Sequence, residues 1–118
     1  MVDLLVDTDV LIDHLRGARR FEPGTAAIAC STVTRAELFA GRASEEDAVR
    51  TLLAPFHELP VDRSVAELGG RLRRDHGVRI ADALIAATAL VHDLELLTRN
   101  VRDFAHVPGL SLQDAAAR

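Results

Sequence analysis

The chain has 118 residues, of which 48% are hydrophobic and 27% are charged, with one cysteine and no tryptophan or tyrosine. We expect a chain of this length to form a single domain, residues 1–118, with enough buried surface for a core that needs no disulfide or structural metal. The lone Cys30 excludes an internal disulfide, and no Cys/His spacing is typical of a zinc finger. Cys30 lies in an apolar run and is predicted to be part of the core.

The net charge of −4, from 18 acidic and 14 basic residues, argues against a protein coated for general nucleic-acid binding. All 14 basic residues are arginine, which excludes every mechanism that requires lysine. Residues 1–5 contain an aspartate and no basic residue, and no apolar stretch reaches membrane length. The sequence therefore predicts neither a signal peptide nor a membrane segment, and a cytoplasmic location.

Aliphatic runs alternate with segments of helical spacing along the whole chain. The predicted strands are residues 4–6, 26–31, 56–61, 94–98 and 110–112. The predicted helices begin at residue 9, near residues 32–34, at residue 44 with Ser44 as its cap, after residue 62 with Asp62 as its cap, and at residue 81. Turns are predicted at residues 23–24, 41 and 77.

This alternation, with few hairpin signals, favours parallel strands joined by right-handed crossovers. The fold class predicted is therefore α/β, a three-layer α/β/α sandwich with a mainly parallel sheet of about four to five strands. The alanine-rich tail, residues 114–118, is expected to fray.

Polar residues follow the predicted strands at positions that share one edge of such a sheet, where ligands of open α/β folds bind. One ends the first strand, one lies about a helical turn past the second, one opens the apolar helix and two follow the fourth strand. These residues are Asp7, Glu37, Asp82, Asn100 and Asp103.

Each acid also has a purely structural explanation. Asp7 fits an Asx turn and Asp9 a helix N-cap, while Glu37 completes a capping box with Thr34. Asp82 suits the positive end of its helix dipole. Carboxylates gathered at one edge repel one another, however, and hard oxygen ligands suit Mg²⁺ or Mn²⁺, so the joint pattern predicts a metal site.

Four blocks span nearly the whole chain: residues 5–12 (LVDTDVLI), 34–38 (TRAEL), 80–87 (IADALIAA) and 97–100 (LTRN). In order and spacing they resemble the PIN-domain family, and most closely its VapC-type toxins. The resemblance implies a metal-dependent endoribonuclease, the toxin of a toxin–antitoxin pair, whose acidic residues hold one or two Mg²⁺ or Mn²⁺ ions.

By this similarity, Asp7, Glu37 and Asp82 are the metal-binding and catalytic residues. A metal held by Asp7 and Asp82 would activate a water for in-line attack on an RNA phosphodiester, and Glu37 would position or deprotonate that water. The family's fourth acidic position aligns with Asn100, which offers a neutral oxygen, whereas Asp103 lies three residues further on and supplies a carboxylate.

Hydroxyl groups and guanidinium groups beside these residues have predicted supporting roles. Thr8 and Thr98 are expected to orient the carboxylates through hydrogen bonds. Two predicted loops carry arginines that could contact the RNA backbone: Arg16, Arg19, Arg20, Arg99 and Arg102. The five histidines do not cluster, and His14 and His92 are expected at helix ends or on the surface.

The resemblance also implies partners. A VapC-like chain forms a homodimer and binds a VapB-like antitoxin, whose peptide lies along an apolar groove and can place a cation in the acidic pocket. Leu38 and Phe39, beside Glu37, are the candidate groove residues. Promoter DNA would be bound through the antitoxin, since this chain is acidic.

Two other interpretations stay open from the sequence. The departure at Asn100 is also compatible with a catalytically inactive PIN-like module that acts only by binding. The segment Asp7-Thr8-Asp9-Val10 resembles the nucleophile motif of haloacid-dehalogenase-like phosphatases and suits a phosphoacceptor, but both classes normally use a lysine, which this chain lacks.

Overall fold

The computed structural model describes residues 2–117, which form a five-stranded sheet flanked by helices. The strands are β1 (Leu4–Val6), β2 (Ile28–Ser31), β3 (His57–Leu59), β4 (Glu95–Thr98) and β5 (Leu112–Asp114). The helices are α1 (Thr8–Leu15), α2 (Thr32–Phe39), α3 (Glu46–Leu53), α4 (Arg63–His76), α5 (Ile80–Val91) and α6 (Val101–Phe104), with 3-10 turns at Ala43–Glu45 and Ala115–Ala117. All strand pairs are parallel, so the predicted α/β class and parallel sheet are confirmed.

The sheet separates two apolar layers because successive strand residues point to opposite faces. Leu4 and Val6 pack with side chains of α1, α2 and α3 on one face. Leu5 and Leu96 pack with α4, α5 and α6 on the other. Leu97 returns to the first face, so the alternation along β4 matches that along β1. The result is the three-layer sandwich that the sequence predicts.

The strand order β3-β2-β1-β4-β5 fixes where a ligand can bind. The chain lays β2 and β3 on one side of β1 and then crosses to lay β4 and β5 on the other, so the topology reverses between β1 and β4. In open α/β sheets the binding crevice forms beyond the carboxyl ends of the strands at this point. The ends of β1 and β4 are joined there, since the Asp7 N–H donates to the Leu97 carbonyl at 2.9 Å.

Helices α4 and α5 pack closely because small residues line their contact. A Cβ added to Gly69 would lie 2.6 Å from Cδ2 of Leu84. Asp62 begins α4 by accepting a hydrogen bond from the Val65 N–H at 3.0 Å, and Gly77 ends it with φ +68°, both as predicted. This packing holds α5, and with it the N-terminal turn that carries Asp82.

Two predicted caps are wrong. Helix α3 begins at Glu46 after a 3-10 turn, and no side chain caps it, so Ser44 does not do so. Helix α2 is capped by Ser31, whose hydroxyl accepts from the Val33 N–H at 3.0 Å. Thr34 is therefore an interior, fully buried residue, and the capping box that would have explained Glu37 does not exist.

The tail expected to fray begins with the last residue of β5 and continues as a 3-10 turn through residue 117. Asp114 pairs with Thr98 as the last residue of β5, two residues beyond the predicted strand. Ala115 is buried, and its carbonyl accepts a hydrogen bond from the Arg19 guanidinium at 2.6 Å. Strand pairing and burial thus hold a segment whose composition alone suggested a loose end, while Arg118 lies outside the described residues. No helix within residues 2–117 combines the length and apolar character needed to cross a bilayer.

Candidate functional site

Asp7 lies at the carboxyl end of β1 and serves as the N-cap of α1. Its Oδ1 accepts a hydrogen bond from the Thr8 N–H and its Oδ2 accepts one from the Thr98 hydroxyl, both at 2.8 Å. Only 4% of Asp7 is exposed. Burial and, to a smaller extent, the charges of Asp9 and Asp82 raise the pKa of Asp7 to about 8, against the two hydrogen bonds, which lower it. The protein therefore holds a carboxyl group that favours a neutralising partner.

Glu37 is positioned by two threonine hydroxyls from different elements. The Thr8 Oγ1 lies 2.7 Å from Oε1 of Glu37 and 3.0 Å from Oγ1 of Thr34. A hydroxyl has one proton, so Thr8 donates to the carboxylate and accepts from Thr34. We call this chain, Thr34 to Thr8 to Glu37, the hydroxyl relay. Two buried threonine hydroxyls thus orient the carboxylate of the exposed Glu37, and Thr8 makes the orienting contact predicted for it.

Asp9 belongs to the same edge, although the sequence interpretation treated it as a simple N-cap. Asp7 takes the cap, and the Asp9 carboxylate instead accepts from the Arg99 N–H at 3.2 and 3.3 Å. Its Oδ2 also lies 3.3 Å from Oγ1 of Thr98. Asp9 therefore ties α1 to the turn after β4. The signal for this role in the sequence was that Asp7 and Asp9 lie two residues apart at the junction of β1 and α1.

Asp82 reaches the edge from the first turn of α5 and is half-buried. Burial raises its pKa, the nearby Arg79 lowers it, and the charges of Asp103, Glu37 and Asp9 raise it. Asp82, on α5, therefore lies within electrostatic range of acids from α1, α2 and α6. The structure thus brings together the carboxylates that the sequence placed at the ends of separate elements.

Asn100 and Asp103 differ in what they contribute. The Asn100 backbone N–H donates to Oγ1 of Thr98 at 3.0 Å, and its side chain makes no cap hydrogen bond to α6. Asp103, one helical turn on, is the residue whose charge acts on Asp82. Thr98 accepts from Asn100 and donates to Asp7, which gives it the predicted orienting contact.

Three of the five candidate RNA-contacting arginines lie near the switch point. Arg99 donates to Oδ1 of Asp13 at 2.6 Å, and Arg19 is anchored to the Ala115 carbonyl. Arg20 is exposed on the same loop as Arg19. Arg19, Arg20 and Arg99 line one cavity beside α1. The other two arginines are exposed and lie outside it: Arg16 and Arg102.

The two candidate groove residues have different surroundings. Leu38 is buried in the core layer below β1, so its prediction as a groove residue is wrong: its position on α2 points it at the sheet. Phe39 is half-buried, with the guanidinium groups of Arg50 and Arg35 at 5.1 and 6.0 Å from its ring centroid. Only Phe39 retains a partly open surface.

The remaining candidate nucleophiles and bases have structural roles. Nδ1 of His14, in the last turn of α1, accepts a hydrogen bond from the Phe21 N–H at 3.0 Å. His92 is exposed at the end of α5. Cys30 is fully buried, as predicted, and burial raises the pKa of its thiol to about 12. His14 and Cys30 are thus engaged within the fold, and His92 lies at the end of α5 opposite to Asp82.

The donor set at the edge fits a hard divalent cation by its chemistry. Asp7, Asp9, Glu37 and Asp82 supply only carboxylate oxygens, and within residues 2–117 none of them forms an ion pair with arginine or histidine. In that same part of the chain, no three acidic, histidine or cysteine side chains are already drawn together as metal ligands. Mg²⁺ suits such a site because it needs few carboxylates and retains waters.

Comparison with known proteins points to one family. The family model described as the PIN domain matches residues 4–110. Ribonuclease VapC19 of Mycobacterium tuberculosis is 40% identical over 123 aligned residues, covering 90% of this chain and 95% of the relative. Ribonuclease VapC10 of the same species is 43% identical over 117 residues, covering 86% and 85%.

A solved structure shows the same fold. The chain superposes on a chain of a toxin–antitoxin complex from Klebsiella pneumoniae with a TM-score of 0.79 and 36% sequence identity. The match covers 92% of this chain and 95% of that one. Sequence and fold therefore agree over nearly the full length of the relatives.

Proposed function

The chain belongs to the PIN-domain family, and on this premise we propose that it is a metal-dependent endoribonuclease of the VapC type, the toxin of a toxin–antitoxin pair. The observation that carries the proposal is the gathering of Asp7, Glu37 and Asp82 at the switch point of the sheet. The raised pKa values of Asp7 and Asp82, and the lack of an ion pair to any of the three residues within residues 2–117, are what a cation-dependent site requires.

Asp7 and Asp82 would hold a Mg²⁺ or Mn²⁺ ion, with Asp103 as the fourth acidic residue in preference to Asn100. Such an ion, when bound, stabilises charge on phosphoryl oxygens and lowers the pKa of water. The family resemblance allows one or two ions. Asp103 is favoured because its charge acts on Asp82, whereas Asn100 contributes its backbone N–H to Thr98.

Glu37 is the proposed general base. Its Oε1 is held by the Thr8 hydroxyl, which leaves Oε2 to accept the proton of the attacking water. Both oxygens of Asp7 are fixed by hydrogen bonds from Thr8 and Thr98, so this carboxylate cannot rotate away from the site. The chain's part in the reaction is therefore to hold acceptor oxygens in fixed directions and to remove one proton.

The proposed partners follow from the same relatives. Because the Klebsiella pneumoniae structure is a toxin–antitoxin complex, we propose a VapB-like antitoxin for this chain, and a homodimer as the family resemblance implies. We propose that the single domain, residues 1–118, acts on RNA in the cytoplasm. With a net charge of −4, contact with promoter DNA would come through the antitoxin.

The test is cleavage of a mixed cellular RNA pool by the purified chain, freed of any partner, with and without Mg²⁺ or Mn²⁺. Asp7→Asn and Asp82→Asn should each lower the rate by about 10²- to 10³-fold, the usual effect of removing one preorganised electrostatic group. Asp93→Asn is the matched control, since residue 93 has φ 55°, which asparagine tolerates, and lies in the turn after α5.

Discrete, metal-dependent cuts that disappear in both site variants and persist in the control would support the ribonuclease. Equal inertness of all four proteins on RNA, together with tight binding of a partner, would instead indicate the inactive binding module. Mn²⁺ binding, followed by its electron paramagnetic resonance signal, provides a readout of the site that is independent of cleavage.

A further inference from the structure

A cavity of about 590 Å³ lies beside the carboxylate edge, between the end of α1, the loop after it and the chain following β5. This size is within the range of about 300–1,000 Å³ typical of small-ligand sites. Apolar side chains form much of its wall: Val10, Phe21, Leu97 and Ala115. We call it the α1 cavity.

The α1 cavity carries more positive than negative charge, unlike the chain as a whole. Its lining includes Arg19, Arg20 and Arg99 against Asp13 and Glu22. Arg20 pairs with Glu22 and Arg99 with Asp13, which leaves Arg19 as the excess cation in a protein with a net charge of −4. Arg19 bonds a carbonyl rather than a carboxylate, so that contact does not neutralise its charge. The cavity therefore attracts an anionic ligand that also has an apolar surface.

Arg99, in the turn after β4, joins the α1 cavity to the proposed catalytic residues. The Arg99 backbone N–H donates to Asp9, which neighbours Asp7 electrostatically, while the Arg99 guanidinium reaches Asp13 at the cavity wall. Arg99 thus touches both regions. The cavity and the carboxylates are therefore neighbours through this one residue.

The loop that forms the outer wall is held in place before any ligand arrives. The Arg19 guanidinium donates to the Ala115 carbonyl at 2.6 Å, and the Phe21 N–H donates to His14 at 3.0 Å. The Phe21 ring stacks near the Phe56 ring, with their centroids 6.0 Å apart. A preformed wall lowers the entropy cost of binding.

We propose that the α1 cavity binds one unpaired base of the RNA substrate, that of a nucleotide flanking the cleaved bond, while Arg19 and Arg20 contact the backbone phosphates. Splayed bases of single-stranded RNA pack on aromatic and guanidinium planes and hydrogen-bond through their edges. Asp13 and Glu22 each pair with an arginine through one oxygen and keep a second oxygen that can accept a hydrogen bond, which favours a base with an exocyclic amino group. This inference rests on the proposed ribonuclease and makes the cavity a determinant of cleavage-site preference.

The experiment couples a change in the protein to a change in the RNA. Short oligoribonucleotides around a mapped cleavage site are made intact or with one flanking base replaced by an abasic ribose. Ala18→Trp fills the cavity from an exposed wall position, and Ala66→Trp on the outer face of α4 is the matched control. Loss of the correct base should lower the wild-type kcat/KM by about 5- to 100-fold, the range for one stacked base.

Ala18→Trp should show a similar loss on the intact oligonucleotide and no further loss on the abasic one, whereas Ala66→Trp should behave like wild type. Arg20→Gln is a second variant that keeps the contact between Arg19 and Ala115 in the cavity wall, and it should weaken binding of every oligonucleotide alike. Circular dichroism melting confirms that each variant is folded. If Ala18→Trp and wild type discriminate equally against the abasic RNA, the proposal is overturned.

Failure of the proposed function would be seen separately. Binding of Asp7→Asn to single-stranded oligoribonucleotides of each of the four bases, intact or with one abasic ribose, is measured by fluorescence anisotropy. It tests the cavity without any cleavage and without a mapped cleavage site. Wild-type protein that cuts no RNA while the Asp7→Asn protein still distinguishes intact from abasic strands would contradict the enzyme and keep the base site. Protein that cuts RNA while Ala18→Trp abolishes only antitoxin binding would assign the cavity to a peptide and overturn the inference.

Discussion

Acidic residues in two regions of this molecule have opposite electrostatic surroundings. Glu58 on β3 accepts three close contacts from the Arg35 guanidinium, at 2.7 to 2.9 Å, and this pairing lowers the pKa of Glu58. Asp7 and Asp82 at the switch point have raised pKa values because burial and neighbouring acids disfavour their charge. Helix α2 contributes to both regions: Arg35 pairs with Glu58, and Glu37, two residues further on, belongs to the switch point.

The ion pair at β3 is suited to stabilise the fold, whereas the carboxylates at the switch point are suited to bind a ligand. At β3 a cation and an anion satisfy each other within the chain. At the switch point, uncharged hydroxyls of Thr8, Thr34 and Thr98 fix the carboxylates in direction without neutralising them. The second arrangement leaves the charge to be balanced by something that binds, which is a property of a site rather than of a scaffold.

The strongest contrast is expected between two glutamates. Glu37→Gln keeps the side chain's size and its hydrogen bond from Thr8 but removes the proposed base, so cleavage should fall by about 10²-fold or more. Steady-state cleavage of a short RNA measures this. Glu58→Gln is the matched control and should leave kcat/KM unchanged; an equal loss in both variants would contradict a separate role for Glu37.

The pH dependence of stability should have opposite sign in the two groups. Asp7 has a folded-state pKa of about 8, above its ordinary 3.8, so its contribution is fully present below about pH 4 and is lost as pH rises through 8. Glu58, with a lowered pKa, contributes above its ordinary value and loses that contribution in acid.

Thermal melting of wild type, Asp7→Asn and Glu58→Gln across pH 3 to 9 measures both effects. Wild type should lose stability relative to Asp7→Asn as pH rises, and Mg²⁺ should restore it at the alkaline end. Relative to Glu58→Gln, wild type should lose its advantage as pH falls. A constant difference between wild type and Asp7→Asn at all pH values would mean that the buried carboxyl is not neutral in the folded protein.

The hydroxyl relay should have a smaller effect than the base it orients. Thr34→Val is nearly isosteric and removes the donor to Thr8, so we expect kcat to fall by about 10-fold with KM little changed. Thr34→Ser should restore most of the rate because it returns the hydroxyl. Unchanged kcat in Thr34→Val, in a variant that folds normally, would show that Thr8 alone suffices to hold Glu37.

The smallest effect is expected from breaking the ion pair between Arg35 and Glu58, and it concerns stability. Glu58→Gln should lower the free energy of unfolding by about 1 kcal/mol, since the ion pair is well aligned but partly exposed to solvent. Chemical denaturation at neutral pH measures this change. A loss several times larger would indicate that Glu58 and Arg35 support the β2–β3 edge in a way that their pairing alone does not explain.

Much of the fold was predictable because periodicity and turn residues are local signals. The alternation of aliphatic runs and helical segments predicted the parallel sheet, and Asp62 and Gly77 predicted the ends of α4. Caps failed where two residues compete: Ser31 rather than Thr34 begins α2, and Asp7 rather than Asp9 begins α1. Sequence spacing cannot rank such competitors, because the choice depends on which side chain the core buries.

By itself, the sequence determined which residue types reach the carboxyl edge of the sheet, because strand ends in a parallel fold share that edge. Only the tertiary structure decided their roles. It assigned Asp9 to the β4 turn, Glu37 to the hydroxyl relay and Leu38 to the core, and it joined Arg19 and Arg99 in one cavity. These contacts join residues far apart in the chain, and burial and hydrogen-bond distance between such residues exist only after folding.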